Sequence, residues 1–218
     1  MKFIWKRYDK YIFAAIVAAL FCFFYFDIPV IEYFDTIPDP VHEFFDDVTI
    51  YGSALYSLLA GLIMWAVFRK SDRKVARTGI FLFWSVAVSG LLVDLIKFLA
   101  GRYRPTLYFS DNKYGLDFLE YAYEMVSFPS GHSATAFAVG TTFALLIPRS
   151  GWFFYPFAAL VAFSRIAITK HYPSDVIIGS MFGYLTAVYL LERFYPDLKS
   201  ANRKKESGQA DKNITPKG

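Results

Sequence analysis

The chain has 218 residues, of which 56% are hydrophobic and 20% aromatic, and a formal net charge of +4. This is more apolar material than one water-soluble core of that length buries, which excludes an ordinary soluble globule and points to a membrane protein. The single cysteine, Cys22, excludes an intramolecular disulfide and any cysteine-rich metal site.

Six apolar stretches follow one another at 11–26, 50–68, 79–100, 133–148, 151–169 and 175–195. Each approaches the ~20 residues that a bilayer-spanning helix requires, so the expected fold class is all-α, an integral membrane bundle of six transmembrane helices. The first stretch runs into "FDIPVIEYF" with no small-residue cleavage site, and reads as a retained helix rather than a removed signal. All six stretches fall in a domain at 1–198. The polar run "KSANRKKESGQADKNITPKG" at 199–218 reads as a disordered cytoplasmic tail.

Basic residues gather on alternate loops. Lys2, Lys6, Arg7 and Lys10 precede the first stretch, and Arg69, Lys70, Arg73, Lys74 and Arg77 follow the second. By contrast, 27–49 carries seven acids and no Lys or Arg. The charge bias places both the N- and C-termini in the cytoplasm and the first, third and fifth loops outside. Because the cations are split among flanks rather than gathered on one face, nucleic acid is not an expected partner. The expected partner is the lipid bilayer, and no obligate protein partner is evident. Within the outer loops, "GLDFLEYAYEMVSF" mixes acids with aromatics as an interfacial segment does, and "PDPVHEFFDDVT" is either a second such segment or a plain connector.

Ionisable side chains inside apolar segments are costly and mark function by default. They form three clusters: Asp94, Lys97, Arg102 and Arg104 in "VDLIKFLAGRYRP"; His132 in "SFPSGHSATAFA"; and Arg165, Lys170, His171 and Asp175 in "AFSRIAITKHYPSD". By the charge bias all three face the same side. Taken singly, Lys97 and Arg165 are snorkelling side chains, Ser130 and Gly131 a helix cap, and His132 or His171 a satisfied interfacial group. Taken together they describe an anion site. Pro129 and Ser130 suit a helix start, and Gly131 lets backbone approach a ligand, so the first N–H groups of the fourth helix point at a phosphate. Lys97, Arg104 and Arg165 surround it with positive charge. Asp94, three residues before Lys97, shares its helix face and serves either as its counter-ion or as a partner for another helix.

These residues resemble the type 2 phosphatidic acid phosphatase (PAP2) superfamily in three motifs. Lys97, six residues, then Arg104-Pro105 match the first, Pro129-Ser130-Gly131-His132 the second, and Ser164-Arg165, His171 and Asp175 the third, complete and in order. The resemblance implies a metal-independent lipid phosphate phosphatase without a cofactor. In it, His171 is the nucleophile and Asp175 holds and stabilises its ring. His132 is the general acid and then base, and Lys97, Ser130, Gly131, Arg104 and Arg165 bind the phosphoryl oxygens. Since Tyr172 precedes Pro173, "HYPS" reads as a turn that brings Asp175 back to His171. The resemblance implies a multi-pass protein of a bacterial inner membrane with its site facing the periplasm or exterior. It leaves lipid A 1-phosphate, undecaprenyl diphosphate and phosphatidylglycerol phosphate as substrates, the loop wording being most similar to lipid A 1-phosphatases. A non-catalytic phospholipid-binding or transport protein with the same cationic pocket is the alternative of another class. It has no need of His171 or Asp175 at that spacing.

Overall fold

The computed structural model describes residues 2–147 and 149–198, so the tail expected at 199–218 lies outside the described residues. The described chain is helical, in the order α1 (Lys2–Tyr25), α2 (Asp27–Asp35), α3 (Asp39–Thr49), a 3-10 turn (Ile50–Gly52), α4 (Ala54–Phe68), α5 (Arg73–Ala100), α6 (Pro105–Asp111), a second 3-10 turn (Tyr123–Met125), α7 (Gly131–Leu146), α8 (Gly151–Ala167) and α9 (Pro173–Phe194).

Each expected apolar stretch falls on one helix: α1, α4, α5, α7, α8 or α9. Among the described residues three stretches are long and apolar enough to cross a membrane, Tyr8–Tyr25, Arg73–Ala100 and Pro173–Phe194, and a fourth is if α3 with the following 3-10 turn and α4, bent by 40° at their junction, count as one span. Helices α7 and α8 have 16 and 17 residues, short of the ~20 that an untilted span uses. The expected six spans are thus three to four by these criteria. The start of α7 and the end of α8 carry polar residues that the site uses.

The acidic stretch 27–49 folds as α2 and α3 rather than as a plain connector. Pro38 is the N-cap of α3 with extended backbone, and Pro40 follows in its first turn, where the missing N–H costs nothing. His42, Phe45, Val48 and Thr49 recur at helical spacing and form the half-buried side. That side faces α8, where the Phe45 ring meets Phe163 at 5.6 Å. At the start of α5, Asp72 caps the helix by accepting from the N–H groups of Lys74 and Val75 at 2.9 and 3.0 Å. Its far end stops at Gly101, whose φ of 50° is left-handed and whose Cβ position is taken by the Asp117 carbonyl.

Helix α7 sits at the centre, packed against α5, α8 and α9, and buries Ser133, Ala134, Ala138, Gly140 and Thr141. In lipid no hydrophobic force drives helices together, so close packing of small residues must do it. The run "GSMFG" on α9 supplies that packing. Gly179 lies where any Cβ would strike the Ser130 carbonyl, and Gly183 where it would strike the Ala134 carbonyl. Their bare backbones bring the start of α9 against the turn that opens α7.

Candidate active site

The C-terminal end of α5, the start of α7, the end of α8 and the start of α9 lie together, which collects all three sequence clusters at one end of the bundle. Arg104, just beyond α5, is buried and anchored at its back, its Nε donating to the Tyr123 carbonyl at 2.7 Å. Its Nη1 donates to the Lys170 carbonyl at 3.0 Å and stands 3.4 Å from His171 Nε2. The Tyr123 ring covers the guanidinium at 4.1 Å. Lys97 reaches from α5 to the Val126 carbonyl at 2.7 Å. Asp94 is exposed and forms no ion pair among the described residues, so the Val126 carbonyl, not Asp94, holds Lys97. Arg165, at the end of α8, is buried and donates through Nη1 to Thr49 Oγ at 2.8 Å. Its Nε is buried without a partner among the described residues, an arrangement that leaves a donor for a ligand oxygen.

His132 opens α7 in the midst of these cations, close enough for Arg165, Lys97 and Arg104 all to act on it electrostatically. Its side chain forms no hydrogen bond among the described residues, and Gly52, where a Cβ would come within 3.0 Å of the imidazole, closes one side of it. Ser130 does two things the sequence does not reveal. Its Oγ caps α7 by accepting from Ser133 N–H at 3.3 Å, and its own N–H donates to the Asp175 carbonyl at 3.0 Å. The Ser130 N–H expected to face a phosphate is therefore engaged. The groups left open at this helix start are the N–H groups of Gly131 and His132.

His171 is buried in the turn between α8 and α9, its backbone N–H held by the Arg165 carbonyl at 3.0 Å. Nδ1 faces Asp175 Oδ2 at 3.4 Å and Ser127 Oγ at 3.4 Å, and Nε2 faces Arg104. Asp175 is the third residue of α9, and its Oδ2 also accepts from Tyr172 N–H at 3.0 Å. The pair thus meets across a turn that the carboxylate itself caps. Burial first, and then the charges of Arg104 and Lys97, hold the His171 imidazole well below its ordinary pKa against the opposing pull of Asp175. The ring is neutral at neutral pH, with a lone pair free on Nε2 when Nδ1 carries the proton toward Asp175.

Three further residues belong to this site. Ser127 donates to Asp175 Oδ2 at 2.6 Å. Arg102, which the sequence places among the cations of its cluster without a role, does not face the phosphate position. It is buried behind Asp175, with Nη1 bonded to Asp175 Oδ1 and Nη2 to Asp27 Oδ2 at 2.6 Å. Burial lowers the pKa of Arg102, but the carboxylates of Asp175 and Asp27 outweigh it and push the group above its ordinary value. Asp27 is fully buried at the break between α1 and α2. The signal for it was present as a lone acid at the end of "AALFCFFYFDIPV", where an ionisable group is expensive. Nothing in the sequence singles out Ser127.

A neutral imidazole backed by a carboxylate, three cations and two open helix N–H groups form a site suited to phosphoryl transfer. The PAP2 superfamily model matches residues 78–197, more than half of the chain. The chain is 33% identical over 217 residues to a lipid A 1-phosphatase of Rhizobium johnstonii, an alignment covering 88% of this chain and 86% of that protein. Its fold is similar to the crystal structure of Aquifex aeolicus LpxE, with a TM-score of 0.58 at 22% identity, over 76% of this chain and 94% of that one. It is equally similar, at a TM-score of 0.58 and 18% identity, to a PAP2-type phosphatidylglycerolphosphate phosphatase from Bacillus subtilis, over 88% and 95% of the two chains. The chain belongs to the PAP2 superfamily and is an enzyme of its lipid-phosphatase class.

Proposed function

We propose that this protein removes phosphate from a membrane lipid at the outer leaflet, without a metal, through a phosphohistidine on His171, and that the lipid is lipid A 1-phosphate. The observation that carries this reading is the placement of His171, its Nδ1 against Asp175 and its Nε2 toward Arg104. Nε2 attacks phosphorus, so that an N–P bond forms as the P–O bond to the lipid breaks. His132 gives its proton to the departing oxygen and then takes one from the water that cleaves the N–P bond, which restores His171 and releases inorganic phosphate. Lys97, Arg104, Arg165 and the N–H groups of Gly131 and His132 hold the phosphoryl oxygens, Ser130 fixing the turn beneath them.

His132→Ala is therefore expected to lose much more activity on an alkyl phosphate than on p-nitrophenyl phosphate, whose leaving group needs little protonation. Equal losses on the two substrates, measured in detergent, would assign His132 to binding alone.

In this reading α1, α4, α5, α7, α8 and α9 all span the bilayer, with both termini cytoplasmic and the site at headgroup depth on the outer face. The charge bias and the collection of all three motifs at one end of the bundle support it. The Rhizobium relative supports lipid A over undecaprenyl diphosphate and phosphatidylglycerol phosphate, as does an outward site, which meets lipids after they are flipped. Purified protein assayed in detergent against the three lipids should release phosphate fastest from lipid A. A higher kcat/KM on either other lipid would reassign the substrate.

A further inference from the structure

The catalytic carboxylate is held by Arg102, and Arg102 in turn by Asp27, a residue from outside the matched family segment. Asp175 Oδ1 is bonded to Arg102 Nη1. The same guanidinium reaches Asp27 Oδ2 at 2.6 Å and Tyr114 OH at 3.1 Å through Nη2. The Tyr172 and Phe23 rings lie 4.3 and 4.8 Å from it. Asp27 in turn binds the start of α9, accepting from Ser174 N–H at 3.0 Å and from Ser174 Oγ at 2.5 Å. Asp27, Arg102 and Asp175 are all buried. None of the contacts of Arg102 or Asp27 leads to the phosphate position.

We propose that Arg102 and Asp27 are positioning residues for the phosphoryl transfer, with Asp27 fixing the Arg102 fork and Arg102 fixing the Asp175 carboxylate against His171. This rests on the reading of His171 as nucleophile. A guanidinium can satisfy two carboxylates in one plane, so the fork sets where Asp175 points as well as balancing its charge. Two carboxylates and one guanidinium leave one buried negative charge. Beyond what Lys97 and Arg104 already balance, it is compensated further when His171 becomes an imidazolium on phosphorylation, so the set favours the phosphoenzyme over the ground state. The start of α2 enters the chemistry through this link, although the family match begins at residue 78.

The test is steady-state kinetics on lipid A in detergent micelles, with alkaline-quenched phosphohistidine counted in parallel. The charged groups facing His171 are Asp175 from α9, Lys97 from α5 and Arg104 from the loop after it. Asp27→Asn removes the net negative charge without touching any of them. It should lower kcat at least about tenfold, with KM within about twofold, and move the acid limb of kcat/KM to lower pH, because the imidazolium loses support. Arg102→Lys keeps the charge but loses the fork. It should lower kcat with the acid limb in place, and it carries the test should Asp27→Asn not survive extraction. A wild-type kcat and pH profile in a folded variant, or a loss that appears in KM alone, would overturn the positioning role. Absence of phosphohistidine on His171 in the wild type would instead overturn the nucleophile reading, whatever the variants do.

Discussion

His171→Ala is expected to release no phosphate from any lipid phosphate while the protein still extracts and elutes as the wild type does. The ring lies in a turn whose backbone is held by the Arg165 carbonyl, so its removal spares the helix packing. What it removes is the atom that bonds to phosphorus. No neighbouring group replaces it, because His132 belongs to the start of α7 and serves the leaving group in this account. His171→Gln, which keeps a polar side chain in the cavity, should be equally inactive. Turnover within about tenfold of wild type by either variant would remove His171 from the chemistry.

The second large effect is expected from the arginines. Arg104→Ala and Arg165→Ala should each cost about 10² to 10³ in kcat/KM, the size of one lost donor to a transition-state oxygen. Both side chains are buried, and Arg165 leaves its Nε unpaired among the described residues. Lysine should restore Arg165 only in part, since the fork, not the charge alone, fills the position. If Arg165→Ala were as active as wild type, the unpaired Nε would need another occupant than phosphate.

How much of this was legible in the sequence differs sharply between residues. Lys97, Arg104, His132, Arg165, His171 and Asp175 could be read directly, because costly side chains at fixed spacing in apolar segments leave few alternatives. The turn between His171 and Asp175 was legible too, since the residue before Pro173 avoids helix. Asp27 carries a local signal as an acid ending an apolar run, but that signal is masked because the same acid is one of seven in 27–49 that read as a topology signal. Its partners Arg102 and Ser174 lie 75 and 147 residues away in sequence, and no local pattern records such a contact. Helices α2 and α3 were hidden for the same reason, their half-buried stripe being narrow and interleaved with carboxylates. Helices α7 and α8 fall short of an untilted span by length, because the start of α7 and the end of α8 are given over to the site. The Ser130 N–H was misassigned because a helix start shows where donors are free, but not which of them a neighbouring helix takes. Asp175 takes that one.

The central claim is that phosphorus passes through His171 Nε2. The most direct measurement is rapid mixing of the purified enzyme with lipid phosphate, quenching in alkaline detergent where phosphohistidine survives, and peptide mass spectrometry of the segment around "ITKHYPSD". The account predicts one phosphoryl group on His171, formed at least as fast as turnover, absent from His171→Ala and accumulating in His132→Ala with an aryl phosphate. Full turnover with no phosphorylated peptide at His171, or the phosphoryl group found on His132, would contradict it.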